Sequence, residues 1–132
     1  MTDHLSVARR FYAGFTARDT AAILAALHPE FVGQVSAGMP LGVGGRHDGP
    51  DAMLREVWGP VLAAYDVRPE ADRLLPCGPD ELVAVGAYRG TARQTSAPVD
   101  AAFAHVLRFR EGRICELVQI TDTASWPAPV TA

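Results

Sequence analysis

The first sixteen residues put Leu5, Ala8, Tyr12 and Phe15 at helical spacing, which predicts an amphipathic helix capped by Thr2 or Asp3. Asp19-Thr20 reads as a second start signal. Ile23, Leu24 and Leu27 follow it as a short helix that His28-Pro29 should close. Phe31 to Ser36 is expected as a short strand. Gly38 to Gly49 is rich in glycine and predicts a long irregular loop that could serve as a lid. Gly49-Pro50-Asp51 then opens a third helix, with the proline at the tolerated first position. Its stripe is Met53, Val57 and Val61, flanked by Leu54, Trp58 and Leu62, and Pro60 should kink it.

After Asp66 the period changes from helical to alternating. Strands are predicted over Val67–Leu75, Leu82–Arg93, Asp100–Arg110 and Arg113–Asp122. Pro69 confines the first to an edge or a bulge, and Glu111-Gly112 makes a tight hairpin between the last two. Trp126 to Ala132 is a proline-containing tail. Helices in the first half followed by a strand meander predict one α+β domain over residues 1–132: a cone-shaped, curved antiparallel sheet closed by three helices around a pocket.

Alternation also sorts side chains by face. Phe103, His105, Leu107 and Phe109 share one side, which surrounds a lone histidine with apolar bulk. Burial should keep its imidazole neutral, as a general base requires, and at least one ring nitrogen is expected to face open space. The competing reading is a core histidine bonded to backbone. Leu117 and Gln119 share a face with Cys115 and Thr121, while Ile114, Val118, Ile120 and Asp122 lie opposite. Gln119 is therefore the pocket residue if register holds, and Asp122 if a bulge turns it inward; otherwise Asp122 caps the turn at Thr123. An outer face of Ile114, Val118 and Ile120 predicts a homodimer.

Composition removes several function classes. Charged residues make up 20% and hydrophobic ones 48%, a balance that supports a packed core. The net charge is −3 and the basic residues, all arginine, are scattered, so no nucleic-acid stripe is visible. Without lysine there is neither a Schiff base nor a phosphate-loop lysine. No apolar run is long enough to span a membrane, and Met1 to Arg10 lacks the pattern of a secretory signal, so a cytoplasmic protein is expected. Cys77 and Cys115 lack close partners. The four histidines are far apart, so no metal site is predicted.

The stretch Ala102-Phe103-Ala104-His105-Val106-Leu107-Arg108-Phe109-Arg110-Glu111-Gly112-Arg113-Ile114 resembles the strand, glycine hairpin and strand of SnoaL-like proteins. These belong to the nuclear-transport-factor-2-like superfamily. Gln119 to Thr123, Arg9 to Phe15 and Gly49 to Met53 match in the same order. The resemblance implies the cone fold and a cofactor-independent enzyme of secondary metabolism. Such an enzyme would cyclise, isomerise or dehydrate an apolar, oxygenated, polyketide-like substrate. A non-catalytic binding module and an epoxide-opening hydrolase are the alternatives it also carries. His105 sits where SnoaL-like cyclases place a pocket histidine, and Gln119 stands where they and the epoxide hydrolases place a catalytic aspartate. Phe15 and Val35 stand near the tyrosine and aspartate of ketosteroid isomerases, which argues against that chemistry. The expected site is therefore His105 and Asp122 as catalytic groups, with Tyr12, Phe15, Trp58, Tyr88 and Gln119 holding the substrate.

Overall fold

The computed structural model describes residues 3–130. Helix α1 (His4–Ala17) is capped by the Asp3 carboxylate, which accepts from the Leu5 N–H at 3.1 Å. Thr2, the other candidate cap, lies outside the described residues. Asp19 caps α2 (Thr20–Ala25) in the same way through Ala22. The strand β1 (Leu27–Val35) begins earlier than expected, so His28-Pro29 belongs to it and does not merely end the helix.

The glycine-rich segment is held down more firmly than a free lid would be. It contains a 3₁₀ turn (Pro40–Gly42) and a strand, β2 (Gly45–Asp48), paired with β1, and Met39 and Val43 are buried. His47 ties it further. One ring nitrogen lies 2.7 Å from the Val43 carbonyl and the other 2.8 Å from Glu56.

The third helical rod is broken where Pro60 required it. It runs as α3 (Pro50–Met53), a π-helical turn (Leu54–Trp58) and α4 (Gly59–Ala64). Proline has no N–H for the carbonyl one turn back and its ring crowds that carbonyl. The chain answers by widening one turn, and the Gly59 N–H bonds to the Leu54 carbonyl.

The strands β3 (Tyr65–Cys77), β4 (Glu81–Ala92), β5 (Pro98–Arg110) and β6 (Arg113–Thr121) form an antiparallel meander. The six-stranded sheet has the order β2-β1-β6-β5-β4-β3, so Pro69 sits on an edge strand. Glu111 and Gly112 both take positive φ, 54° and 76°, as the two-residue hairpin demands. One pairing was not predicted: β1 runs parallel to β6. Gly86 and Gly90 let the sheet curl. A Cβ at either would stand 1.8 Å from a carbonyl of β3, Glu70 and Asp66 respectively.

The helices cover the concave face, where Phe11, Phe31, Met53, Tyr65, Leu82, Leu107 and Ile114 are almost fully buried. Ile114 corrects the expected strand pattern. A bulge sets Arg108 opposite Glu116 but Phe109 opposite Ile114, so Cys115 is the extra residue and Ile114 turns into the core. The outer apolar strip therefore keeps Val118, half-buried, and Ile120, which is 57% exposed, but not Ile114. Among the described residues no helix is long and apolar enough to cross a membrane.

Candidate functional site

Three elements wall one apolar cavity. The first helix contributes Phe11, Tyr12 and Phe15. The broken rod contributes Met53, Val57, Trp58, Val61 and Leu62, and the sheet contributes Val67, Pro69, Tyr88, His105, Leu117 and Gln119. Met39 and Trp126 complete the wall. The space between these walls, with the open solvent at its mouth, is about 560 Å³.

A single file of polar groups crosses this apolar space. The Tyr12 hydroxyl lies 2.7 Å from Nδ1 of His105, and the Tyr88 hydroxyl lies 2.7 Å from its Nε2. Gln119 Nε2 donates to the Tyr88 oxygen at 2.9 Å. Gln119 Oε1 accepts from the backbone N–H of Ser36 at 3.2 Å, and the Ser36 hydroxyl donates to the Gln119 carbonyl at 2.9 Å. The parallel β1–β6 pairing delivers Ser36 to this place, just beyond the end of β1. A backbone N–H can only donate, so it decides which way the Gln119 amide points.

Burial sets the protonation states. His105 is 3% exposed, with Phe103 stacked on its ring at 4.0 Å. Desolvation pushes its pKa down to about 3, so the imidazole is neutral. Burial pushes the Tyr12 hydroxyl well above the ordinary phenol range, and the nearby Tyr88 adds to the rise. Burial also raises Tyr88, opposed by the Gln119 hydrogen bond. Near neutrality the site holds two phenols and one imidazole, all uncharged.

Tyr12, Phe15, Trp58, Tyr88, His105 and Gln119 thus come together as the sequence suggested, with two corrections. His105 presents no free ring nitrogen. Both are taken, and by phenols where the competing reading had backbone. Asp122 is outside the cavity. The inward side of β6 ends at Thr121, and the exposed Asp122 carboxylate caps the 3₁₀ turn Thr123–Ser125, accepting from Ala124 N–H and Ser125 Oγ. The bulge that could have turned it inward lies at the other end of the strand. Val35 is plain core. Sequence reasoning missed Ser36 and Trp126. Nothing local marks Ser36, because its role depends on a strand 83 residues away. Trp126 sits in a tail, but a large aromatic in a short tail is a signal that it docks. Among the described residues no cluster of histidine, cysteine and acidic side chains could hold a metal ion.

A family model described as the SnoaL-like domain matches residues 8–117. A nuclear-transport-factor-2-like protein from Burkholderia thailandensis is 28% identical, with 95% of each chain covered and a TM-score of 0.85. Another, of unknown function, from Burkholderia pseudomallei is 30% identical over 94% of each chain, with a TM-score of 0.83. TerC, solved in co-crystals with polyporic acid, is 27% identical over 92% of each chain, with a TM-score of 0.78. No protein of curated function matches the sequence.

Proposed function

Because the chain belongs to the SnoaL-like family, we propose that it is a cofactor-independent enzyme of secondary metabolism that binds an apolar, oxygenated small molecule in the cavity. There it promotes cyclisation, isomerisation or dehydration. One observation carries this reading: a neutral phenol–imidazole–phenol file is held inside an otherwise apolar cavity. A phenol in a dry site donates a hydrogen bond to a carbonyl oxygen and stabilises the negative charge that grows there as an enol or enolate forms. In low dielectric such a donor is worth far more than in water.

The file suits hydrogen-bond assistance better than full proton transfer. His105 resists protonation, and passing a proton along the file would end in a buried phenolate whose pKa burial has raised. His105 therefore serves as the link that orients two phenols, and the role of general base moves away from it. An epoxide-opening reaction has little to work with, since no carboxylate lines the cavity among the described residues.

That same set of facts favours a second reading, a binding module that holds such a molecule without turning it over. The two readings share a first test. Both tryptophans of the chain, Trp58 and Trp126, line the cavity, so intrinsic fluorescence reports on it without background. Titration with polyporic acid and with aromatic polyketones should quench or shift it at micromolar ligand. Unmoved fluorescence across such a panel would remove the pocket reading altogether. Among the ligands that bind, chromatography coupled to mass spectrometry then separates the two: an isomer of equal mass but shifted retention, or a product lighter by one water, supports the enzyme, and recovery of unchanged ligand supports the module.

A further inference from the structure

The hydrogen-bond file has a direction, and the direction names the kind of oxygen it can receive. Tyr12, neutral His105 and Tyr88 carry three polar protons between them but share two hydrogen bonds. One proton is therefore surplus, and it belongs to a phenol. If His105 carries its proton on Nε2, it donates to Tyr88, and the Tyr88 proton is surplus. If the proton is on Nδ1, it goes to Tyr12, and the Tyr12 proton is surplus. Gln119 breaks this tie. Its amide already donates to the Tyr88 oxygen. A phenol oxygen is best served by accepting one bond and donating one. Tyr88, accepting from Gln119, then turns its own proton to His105 Nε2.

We infer that Gln119, oriented by the Ser36 N–H, is a polarity latch that sets His105 as the Nδ1–H tautomer and leaves the Tyr12 hydroxyl proton for a ligand. Ser36 and Gln119 are positioning residues on this account, and Tyr12 is the group that touches substrate. The site then favours an oxygen that only accepts, such as a neutral ketone carbonyl. An alcohol would bring a second proton, for which the Tyr12 oxygen, already taking the His105 proton, is a poor acceptor. A carboxylate would meet no cation, since among the described residues no basic side chain other than neutral His105 lines the cavity. The inference rests on the cavity being a ligand site, but the latch itself is a property of the free protein.

The decisive variant is Gln119→Glu. Its carboxylate cannot donate. One oxygen would accept from Ser36 N–H and the other from Tyr88 O–H, so Tyr88 would accept from Nε2–H and Nδ1 would accept from Tyr12 O–H. All three protons would be consumed and the tautomer would reverse. Nitrogen-15 NMR of histidine-labelled protein reads the tautomer directly. We expect Nδ1–H in the native protein, Nε2–H in Gln119→Glu above the pH at which the new carboxyl ionises, and a mixture in Gln119→Leu. The Leu variant keeps the latch testable if the buried carboxylate prevents folding.

Carbon-13 acetophenone gives the ligand side of the test. Its carbonyl stretch should move to lower frequency in the native site, and that shift should vanish in Tyr12→Phe and in Gln119→Glu. An Nε2–H tautomer in the native protein, or no change of tautomer in either Gln119 variant, overturns the latch. A carbonyl shift that survives Tyr12→Phe overturns the assignment of the free proton. If acetophenone does not bind while the tautomers behave as expected, the latch stands and the choice of ligand falls.

Discussion

The Tyr12 hydroxyl reaches Nδ1 of His105 at 2.7 Å across 93 residues of sequence, joining the first helix to the fifth strand inside the cavity. Removing that hydroxyl should weaken both the fold and the site. Tyr12→Phe keeps the ring and its packing but leaves a buried imidazole nitrogen unpaired, which costs about 1–3 kcal/mol. Urea unfolding measures this. If Tyr12 is the donor to the reacting oxygen, turnover should fall by roughly 10²–10³-fold, the usual cost of one such donor. A variant with native turnover would exclude the hydroxyl from the chemistry.

His105 should make stability fall with acid. Its folded pKa is down to about 3, below the ordinary value of 6.5. The unfolded chain therefore takes up a proton through the interval between these values while the native state does not. Stability is lost as pH falls through that window, at up to about 1.4 kcal/mol per pH unit. Between pH 6 and pH 4.5, where carboxylates contribute least, His105→Gln should flatten this dependence relative to the native protein. NMR offers a second check, because the His105 ring should show no titration down to about pH 4. A ring that titrates near its ordinary value would mean that the site is wet.

Asp122→Ala should leave turnover and ligand affinity within about two-fold and cost roughly 1 kcal/mol, the typical loss of a helix-cap oxygen. Its carboxylate only holds the 3₁₀ turn. A collapse in activity with the fold intact would return Asp122 to the site.

Gly59→Ala should destabilise, against the usual rule that alanine improves on glycine inside a helix. The added Cβ would stand 2.8 Å from the Leu54 carbonyl oxygen, the acceptor of the π-turn hydrogen bond. The loss expected is about 1–3 kcal/mol, and Trp58, at the end of that turn, should report it through its fluorescence. Unchanged or improved stability would show that the π turn is not required.

The outer face of the sheet should bury itself in a homodimer. Val118 and Ile120 remain on it, and Ile120 is an exposed large apolar side chain. Light scattering should give the dimer mass at micromolar protein, and Ile120→Glu should shift it toward monomer. A native monomer under those conditions refutes the interface.

Much of this architecture is decided within short windows of sequence. The alternation of Phe103, His105, Leu107 and Phe109 puts them on one face because a strand turns its side chains every second residue. Pro69 must lie at an edge and Pro60 must break a helix because each lacks an N–H. Glu111-Gly112 must turn because its φ values suit a two-residue hairpin. Such rules reach as far as a few neighbouring residues and stop there. They place His105 on an apolar face but cannot say whether that face lines a cavity or what its nitrogens meet. Only the packed chain brings Tyr12 to Nδ1 and Tyr88 to Nε2, turns Ile114 inward by one bulged residue, and leaves Asp122 outside. Only the parallel pairing of β1 with β6 brings the Ser36 N–H to Gln119. Partner and direction in a buried hydrogen-bond file depend on residues far apart in sequence, and alternation carries no information about which of them will meet.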